Sequence, residues 1–404
     1  MNGKSIRVIF LISMIYSTAY ALTLSKGVFY DEMLRGFSMS NLQFGRMFSV
    51  LGIFSMLAYL CAAWFSTRFS SRLIVLTALL VNTAVPATLS TMPPYPVMLL
   101  CFAVMGFTNG IFFPVSVELV RNAVSLNLQG HAFGVNYIFI SLTGSAVTLI
   151  CYAVLPFFPS PAGRVRVLLI LFAVLNTISL ILAFFHLEEA KPGAQLQHEN
   201  LPATLSSLLR NPTVWAVVLI VFINYIGYCT LNYTQPYLSD VVHLPALVAN
   251  LVTLLRMYFI VILAAPLAGM ITDMYRASVV LIRATFLAFF LAAFAIVFIH
   301  GLSPFFLVIL ILVLCMTANM AKSMALITIS EIGLSPYAIS VGISLVSFLG
   351  FSPDAFYYSL CGWLLDSFGD AGYTYIFALA GTLTVIGFFI CHWLRRQGVK
   401  RSFG

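Results

Sequence analysis

Charge is what this chain of 404 residues has least of: 20 Lys and Arg and 12 Asp and Glu make up 8% of it, against about 25% in ordinary soluble domains. So few charges cannot solvate a globular surface, and a water-soluble fold is excluded. Catalytic groupings are missing as well. No paired carboxylates, nucleophile-and-base set or metal cluster stands at helical spacing, and no Walker string occurs. The chain therefore reads as no enzyme and no ATP-driven pump, with no cofactor implied. The seven cysteines, Cys61, Cys101, Cys151, Cys229, Cys315, Cys361 and Cys391, all fall inside apolar runs. They show no close pair and no ligand spacing, so they read as small core residues rather than a disulfide framework or zinc site. Long polar segments are scarce too, the one sizeable interruption being 187–211.

What fills the chain instead is apolar sequence, 61% of all residues with a mean hydropathy of +1.04. Runs of the ~20 residues needed to cross a bilayer begin near Ile6, Leu42, Leu73, Pro96, Ala132, Arg166, Pro212, Leu247, Val279, Pro304, Tyr337 and Tyr373. Boundaries are weakest in the first and eleventh. A transmembrane β-barrel needs ~10-residue alternating segments, and runs such as 167–185 and 307–316 do not alternate. The expected fold is an all-α membrane protein of about twelve transmembrane helices in two six-helix bundles. The bundles are 1–187 and 212–404, and the linker between them is 188–211, with 203–209 as a short surface helix.

An even number of spans puts both termini on one side. Placing them in the cytoplasm gathers Lys4, Arg7, Arg68, Arg72, Arg121, Lys191, Arg210, Arg276, Arg395, Arg396, Lys400 and Arg401 there, as the positive-inside rule requires. The formal charge of +8 is then topology and contact with anionic lipid. A nucleic-acid partner is not implied, because the bases are scattered through short loops. Lys4 and Arg7, an apolar run and then Ala19, Tyr20 and Ala21 imitate a cleavable secretory signal. Cleavage is rejected, since it would leave an odd number of spans.

Three charges inside spans stand out: Lys322 in 305–330, Arg256 in 248–271, and Asp354 just after Pro353 in 338–365. A charge at that depth is costly and marks a functional site by default. Arg offers bidentate carboxylate or phosphate contact and Lys a point charge, so the cations favour an anionic substrate. Asp354 reads as a coupling-proton carrier or as an ion-pair partner of either cation. Tyr16, Tyr20, Asn224 and Asn319 are the chief candidates for hydrogen bonds to the substrate, with Asn109, Asn136, Tyr137 and Tyr228 beside them. Interhelical bonding explains any one of them equally well. Lys26 and Arg46, near the ends of spans 1 and 2, read as anion guides or as side chains reaching for headgroups. Gly106, Gly110 and Pro114 suggest close packing and a bend in span 4.

A weak internal repeat supports the two-bundle division. Ala63 is followed by Thr67 and Arg68, and Gly269 by Asp273 and Arg276, about half a chain apart. Twelve spans, a central linker and this paired loop resemble the major facilitator superfamily over essentially the whole chain. Stretches 41–45, 64–72, 93–95, 129–134, 265–269 and 350–356 resemble a bacterial branch near the nitrate/nitrite and organic-anion carriers. The superfamily's loop pattern is degraded, with Ala63, Thr67, Ser70 and Ser71 replacing Gly, Asp, Gly and Arg, and Met274 replacing an Arg.

The resemblance implies that spans 1, 4, 7 and 10 line a cavity and spans 2, 5, 8 and 11 form the sliding interface. It also implies that Arg68, Arg72 and Asp273 belong to a cytoplasmic gate. Glu118, Arg121 and Glu331 read as further gate or cap residues. The function expected is secondary transport of a small organic or inorganic anion across the inner membrane by alternating access, coupled to protons or to exchange. The alternatives are a multidrug or neutral-solute exporter and a non-transporting membrane sensor.

Overall fold

In the computed structural model, residues 3–125, 128–187, 201–275, 277–299 and 301–397 are described, and none of them forms a strand. Among them, eleven helices are long and apolar enough to cross a membrane, or twelve if a bent pair counts as one span. The bent pair is span 1, Ser5–Ala19 and Ala21–Gly27, which meet at 55° around Tyr20. Spans 2 to 6 are Asn41–Ala62, Ser71–Ser90, Tyr95–Asn122, His131–Phe157 and Pro161–His186. Spans 7 to 12 are Pro212–Asp240, Leu247–Thr272, Ser278–Phe298, Pro304–Ala325, Tyr337–Phe368 and Ala371–Arg396.

Local chemistry explains where many of these helices start. A Ser or Asn followed by Pro supplies a side-chain cap and a first residue with no N–H to satisfy. Ser160, Asn211 and Ser335 accept from Gly163, Thr213 and Ala338 in this way, each just ahead of a helix-opening Pro. Span 2 opens with a capping box, in which Ser40 and Gln43 each bond the other's backbone N–H. Interruptions occur in several spans, and in span 11 the cause is local. Span 11 stops at Gly350, passes through a 3-10 turn at Ser352–Ala355 that contains Pro353, and resumes at Tyr357. Span 8 contains a π-turn at Leu255–Phe259.

The chain divides into two compact units, Met1–Gln195 and Leu196–Gly404. Residues 188–200 of the expected linker, which include the boundary, lie outside the described residues. The expected surface helix is present as Leu201–Arg210, with Leu208 buried and the Leu209 carbonyl accepting from the Trp215 indole. In the first unit, span 2 packs on 4, span 3 on 6 and 4, and span 1 on 4, 5 and 6. In the second, span 8 packs on 10, span 9 on 12 and 10, and span 7 on 10, 11 and 12. Adding six to each number of the first set gives the second, which is the structural form of the weak sequence repeat.

Small residues allow the tightest of these contacts, as helix pairs in lipid require. Gly106 lies against the Leu51 backbone, and a Cβ on Gly110 would come within 2.6 Å of both the Ser55 carbonyl oxygen and Ala58 Cβ. Ser55 Oγ closes the seam by donating to the Gly106 carbonyl at 2.9 Å. Gly106→Val is therefore expected to force spans 2 and 4 apart, at about 1–3 kcal/mol for overpacking. Its melting temperature and monodisperse yield should fall, while Gly134→Val, where an added Cβ meets nothing within 4 Å, keeps both.

Candidate functional site

Span 7 carries Asn224, Tyr225, Tyr228, Cys229 and Asn232 at helical spacing, so one face presents amide, phenol and thiol groups together. The 3-10 turn in span 11 sets Asp354 opposite that face. Tyr225 donates its hydroxyl to Asp354 Oδ2 at 2.6 Å, and the Cys229 thiol lies 3.7 Å from Oδ1. One turn further on, Thr230 and Asn232 bond the hydroxyls of Tyr357 and Tyr358, at 2.7 and 3.2 Å. The acid is thus fixed from the span 7 side.

Lys322 reaches the same face from span 10, three residues before that helix ends at Ala325. Its Nζ stands 3.5 Å from the centroid of the Tyr228 ring and 5.9 Å from that of Tyr225. The two rings are near parallel, 5.8 Å apart at 24°, and Phe351 leans on Tyr225 at 4.8 Å. Lys322 and Asp354 are both half-buried. A cation on an aromatic face gains about 2 kcal/mol when desolvated, which holds the ammonium without neutralising it.

Asn224 is only 4% exposed. With its amide oriented to satisfy both partners, it donates to the Ala318 carbonyl at 3.3 Å and accepts from the Lys322 backbone N–H at 3.1 Å. It therefore braces span 10 directly behind Lys322. Asn319 donates to the Cys315 carbonyl on its own helix at 2.8 Å. Arg256 lies in the π-turn of span 8, only 3% exposed. The structure thus joins Lys322 and Asp354 through two tyrosines, and sets Asn224 and Asn319 against backbone.

In the first unit Tyr16 and Tyr20 stack at 4.5 Å, and the Tyr20 hydroxyl donates to the Asn109 carbonyl at 3.1 Å beside the bend of span 1. Asn109 also accepts from Asn82 at 2.7 Å, and Asn136 from Ser13 at 2.8 Å. Tyr137 is exposed. Lys26 is buried, with Nζ 5.3 Å from the centre of the Phe48 ring, and Arg46 is exposed. Of the gate candidates, Arg68 rests on the Trp64 ring at 4.7 Å, and Arg72 donates to the Phe184 carbonyl and lies over its ring at 5.3 Å. Glu118 is half-buried and Arg121 exposed on span 4. The side chain of Asp273 and all of Arg276 lie outside the described residues. Glu331 is buried and receives the Ser278 backbone N–H, at 3.2 and 3.0 Å, and its hydroxyl at 2.7 Å. It caps the start of span 9.

The sequence profile of the Major Facilitator Superfamily matches residues 8–350. The chain belongs to that family. As a member of the Major Facilitator Superfamily it has full-length relatives in Escherichia coli K12. It is 23% identical over 391 residues to the inner membrane protein YihN, covering 93% of this chain and 92% of the relative. It is 21% identical over 370 residues to the inner membrane protein YqcE, covering 88% and 86%. Among solved structures, a bacterial homologue of the human lysosomal transporter Spinster, inward-facing and unoccupied, superposes with a TM-score of 0.75 at 12% identity, both chains fully covered. A point mutant of the nucleoside transporter NupG superposes at 0.76 and 12% identity, covering 96% of this chain and 99% of that one. These likenesses establish the fold of a membrane transporter.

Tyr225 and Cys229 were not among the sequence candidates. Their signal was their spacing from Tyr228 and Asn232 on a single face of span 7.

Between spans 1 and 2 the helix Tyr30–Gly36 packs on span 6, with Gly36 close against Val165 and Pro161. There Glu32 Oε2 is buried without a hydrogen-bond partner among the described residues. Burial pushes the Glu32 carboxyl above its ordinary 4.5, outweighing its backbone hydrogen bond, Arg164 and Arg35, which lower it. An acid raised in the folded state gives its full stability below its ordinary value and loses it as pH rises through the raised one. Glu32→Gln should therefore melt higher than the native protein at pH 8, and the gap should close toward pH 4. A gap of constant size across that range contradicts this account.

Proposed function

We propose that this transporter moves a small anion by alternating access, with Lys322 and Arg256 supplying the positive charge that meets it. One observation carries the reading. Among the described residues, the partners of the Lys322 ammonium are the neutral rings of Tyr228 and Tyr225. A positive charge inside a span that is cushioned but not neutralised favours an incoming negative charge. The resemblance to nitrate/nitrite and organic-anion carriers points the same way, and the names of both Escherichia coli relatives support an inner-membrane location.

In this proposal Asp354, fixed by Tyr225 and Cys229, is the coupling group, on which a proton sits or whose bond to Tyr225 changes as substrate arrives. Tyr16 and Tyr20 are the proposed substrate contacts within the first unit. Arg68, Arg72, Asp273, Glu118 and Arg121 serve the cytoplasmic gate, with both termini in the cytoplasm.

The test is thermal-shift binding of the purified full chain to nitrate, gluconate, glucose 6-phosphate and tetraphenylphosphonium, followed by proteoliposome uptake of whichever ligand stabilises it. At least one anion is expected to bind and to be accumulated or exchanged, and Arg256→Gln is expected to weaken it about 100-fold, as loss of a buried charge partner does. Stabilisation by the lipophilic cation alone overturns the anion reading in favour of a multidrug exporter. Binding with neither uptake nor exchange favours a sensor.

A further inference from the structure

We propose that Cys315 and Asn319 are positioning residues for Arg256, acting through the π-turn of span 8. The proposal rests on the reading of Arg256 as an anion-binding residue.

An α-helical turn would send the Ile260 N–H to the carbonyl four residues back, that of Arg256. In the turn Leu255–Phe259 that N–H goes instead to the Leu255 carbonyl, five residues back. The Arg256 carbonyl loses its ordinary donor, and a thiol from another helix stands in its place: Cys315 Sγ on span 10 donates to it at 3.2 Å. Cys315 is 1% exposed, so bulk water does not compete for that carbonyl.

The sulfur is itself oriented. Asn319 Nδ2, one turn along span 10, donates to the Cys315 carbonyl at 2.8 Å and lies 3.5 Å from the sulfur. With an amide N–H on its lone pair, the thiol keeps its proton for the Arg256 carbonyl. Thiols are weak donors, and an S–H···O contact is a second-order interaction. Here it falls on a carbonyl whose alternative is to recapture the Ile260 N–H and revert to an α turn.

That reversion changes where Arg256 points. A π-turn holds one extra residue, so side chains on either side are offset by about 100° from an unbroken helix. The thiol therefore selects the rotation of the guanidinium about the span 8 axis. Cys315, Asn319 and Lys322 fall at i, i+4 and i+7 on one stripe of span 10. The same stripe that carries one cation thus sets the rotation of the other.

The experiment has a spectroscopic arm and a binding arm on the full chain. The wild-type minus Cys315→Ala infrared difference spectrum should show an S–H stretch below the free-thiol frequency, and that band should rise in Asn319→Ala. The concentrations of nitrate, gluconate and glucose 6-phosphate that give half the maximal thermal shift should rise about three- to tenfold in Cys315→Ala, the effect of one net hydrogen bond. They should recover in Cys315→Ser, which keeps a donor. A free-thiol frequency, or native half-maximal concentrations in Cys315→Ala while Arg256→Gln still weakens binding about 100-fold, overturns the positioning role alone. Native binding by Arg256→Gln, or no anion bound by the native protein, overturns the underlying reading and this proposal with it.

Discussion

Replacing Lys322 by Gln is expected to lower anion uptake by about 100-fold or more, because removing one member of a desolvated charge pair costs roughly 2–5 kcal/mol. The variant should still insert and fold. The ammonium is held by two aromatic rings, and Gln leaves no acid stranded by its loss. Most of the effect should be on substrate affinity, since the attraction acts on the bound anion from the moment it enters. Tyr228→Leu provides the contrast. It removes the ring that holds Nζ at 3.5 Å but leaves the charge, so uptake should fall about tenfold or less, on the scale of one cation–π contact. Tyr225→Phe removes the hydroxyl that bonds Asp354, and it should alter coupling more than affinity. Proteoliposome uptake at graded substrate concentrations separates the three. Lys322→Gln transporting like the native protein would remove the anion argument at its strongest point.

The parts of this architecture that were legible in the sequence are those with a local signature. The Asn-Pro and Ser-Pro pairs at Asn211 and Ser335 stand at the starts expected near Pro212 and Tyr337, because cap and missing N–H act within a few residues, whereas at Ser160 the same pair opens span 6 five residues before the start expected near Arg166. The two spans with the least certain boundaries, 1 and 11, are both interrupted, near Tyr20 and Phe351. Gly106 and Gly110 gave away close packing on span 4, since a residue without a side chain at every fourth position has few other uses in lipid; that span 2 is the partner came from the structure. What stayed hidden depends on which helix faces which. Nothing in Leu-Arg-Met-Tyr-Phe announces a π-turn, because neither Pro nor Gly is present and the cause is a thiol some sixty positions away. Asn224 and Asn319 read as substrate contacts, and the structure sets the Asn224 amide on span 10 backbone and the Asn319 Nδ2 on the Cys315 carbonyl and thiol. Periodicity shows that such groups share a face with other polar residues, not what lies opposite.

Glu331→Ala is expected to destabilise the second unit, because the carboxylate sits where span 9 begins and its loss leaves a buried donor with no acceptor. Ser278 is fully buried, its N–H and hydroxyl both reach Glu331, and the hydroxyl also pairs with Thr328 at 2.8 Å. Water cannot replace the lost acceptor. A negative group at a helix start also meets the positive end of the helix dipole, and hydrogen bonds to a charged acceptor contribute about 1.5–3 kcal/mol. A net loss of about 2–4 kcal/mol corresponds to a melting temperature lower by about 5 °C or more. Glu331→Gln keeps the carbonyl that accepts the Ser278 N–H and should recover more than half of the loss. The pair also separates cap from gate. A cap residue lowers the melting temperature in Ala and regains it in Gln, with transport following the amount of folded protein. A gate residue would leave melting unchanged in Gln while altering uptake per folded molecule. Because the three bonds converge on one carboxylate bridging the end of span 10 to the start of span 9, the cap outcome is the one expected.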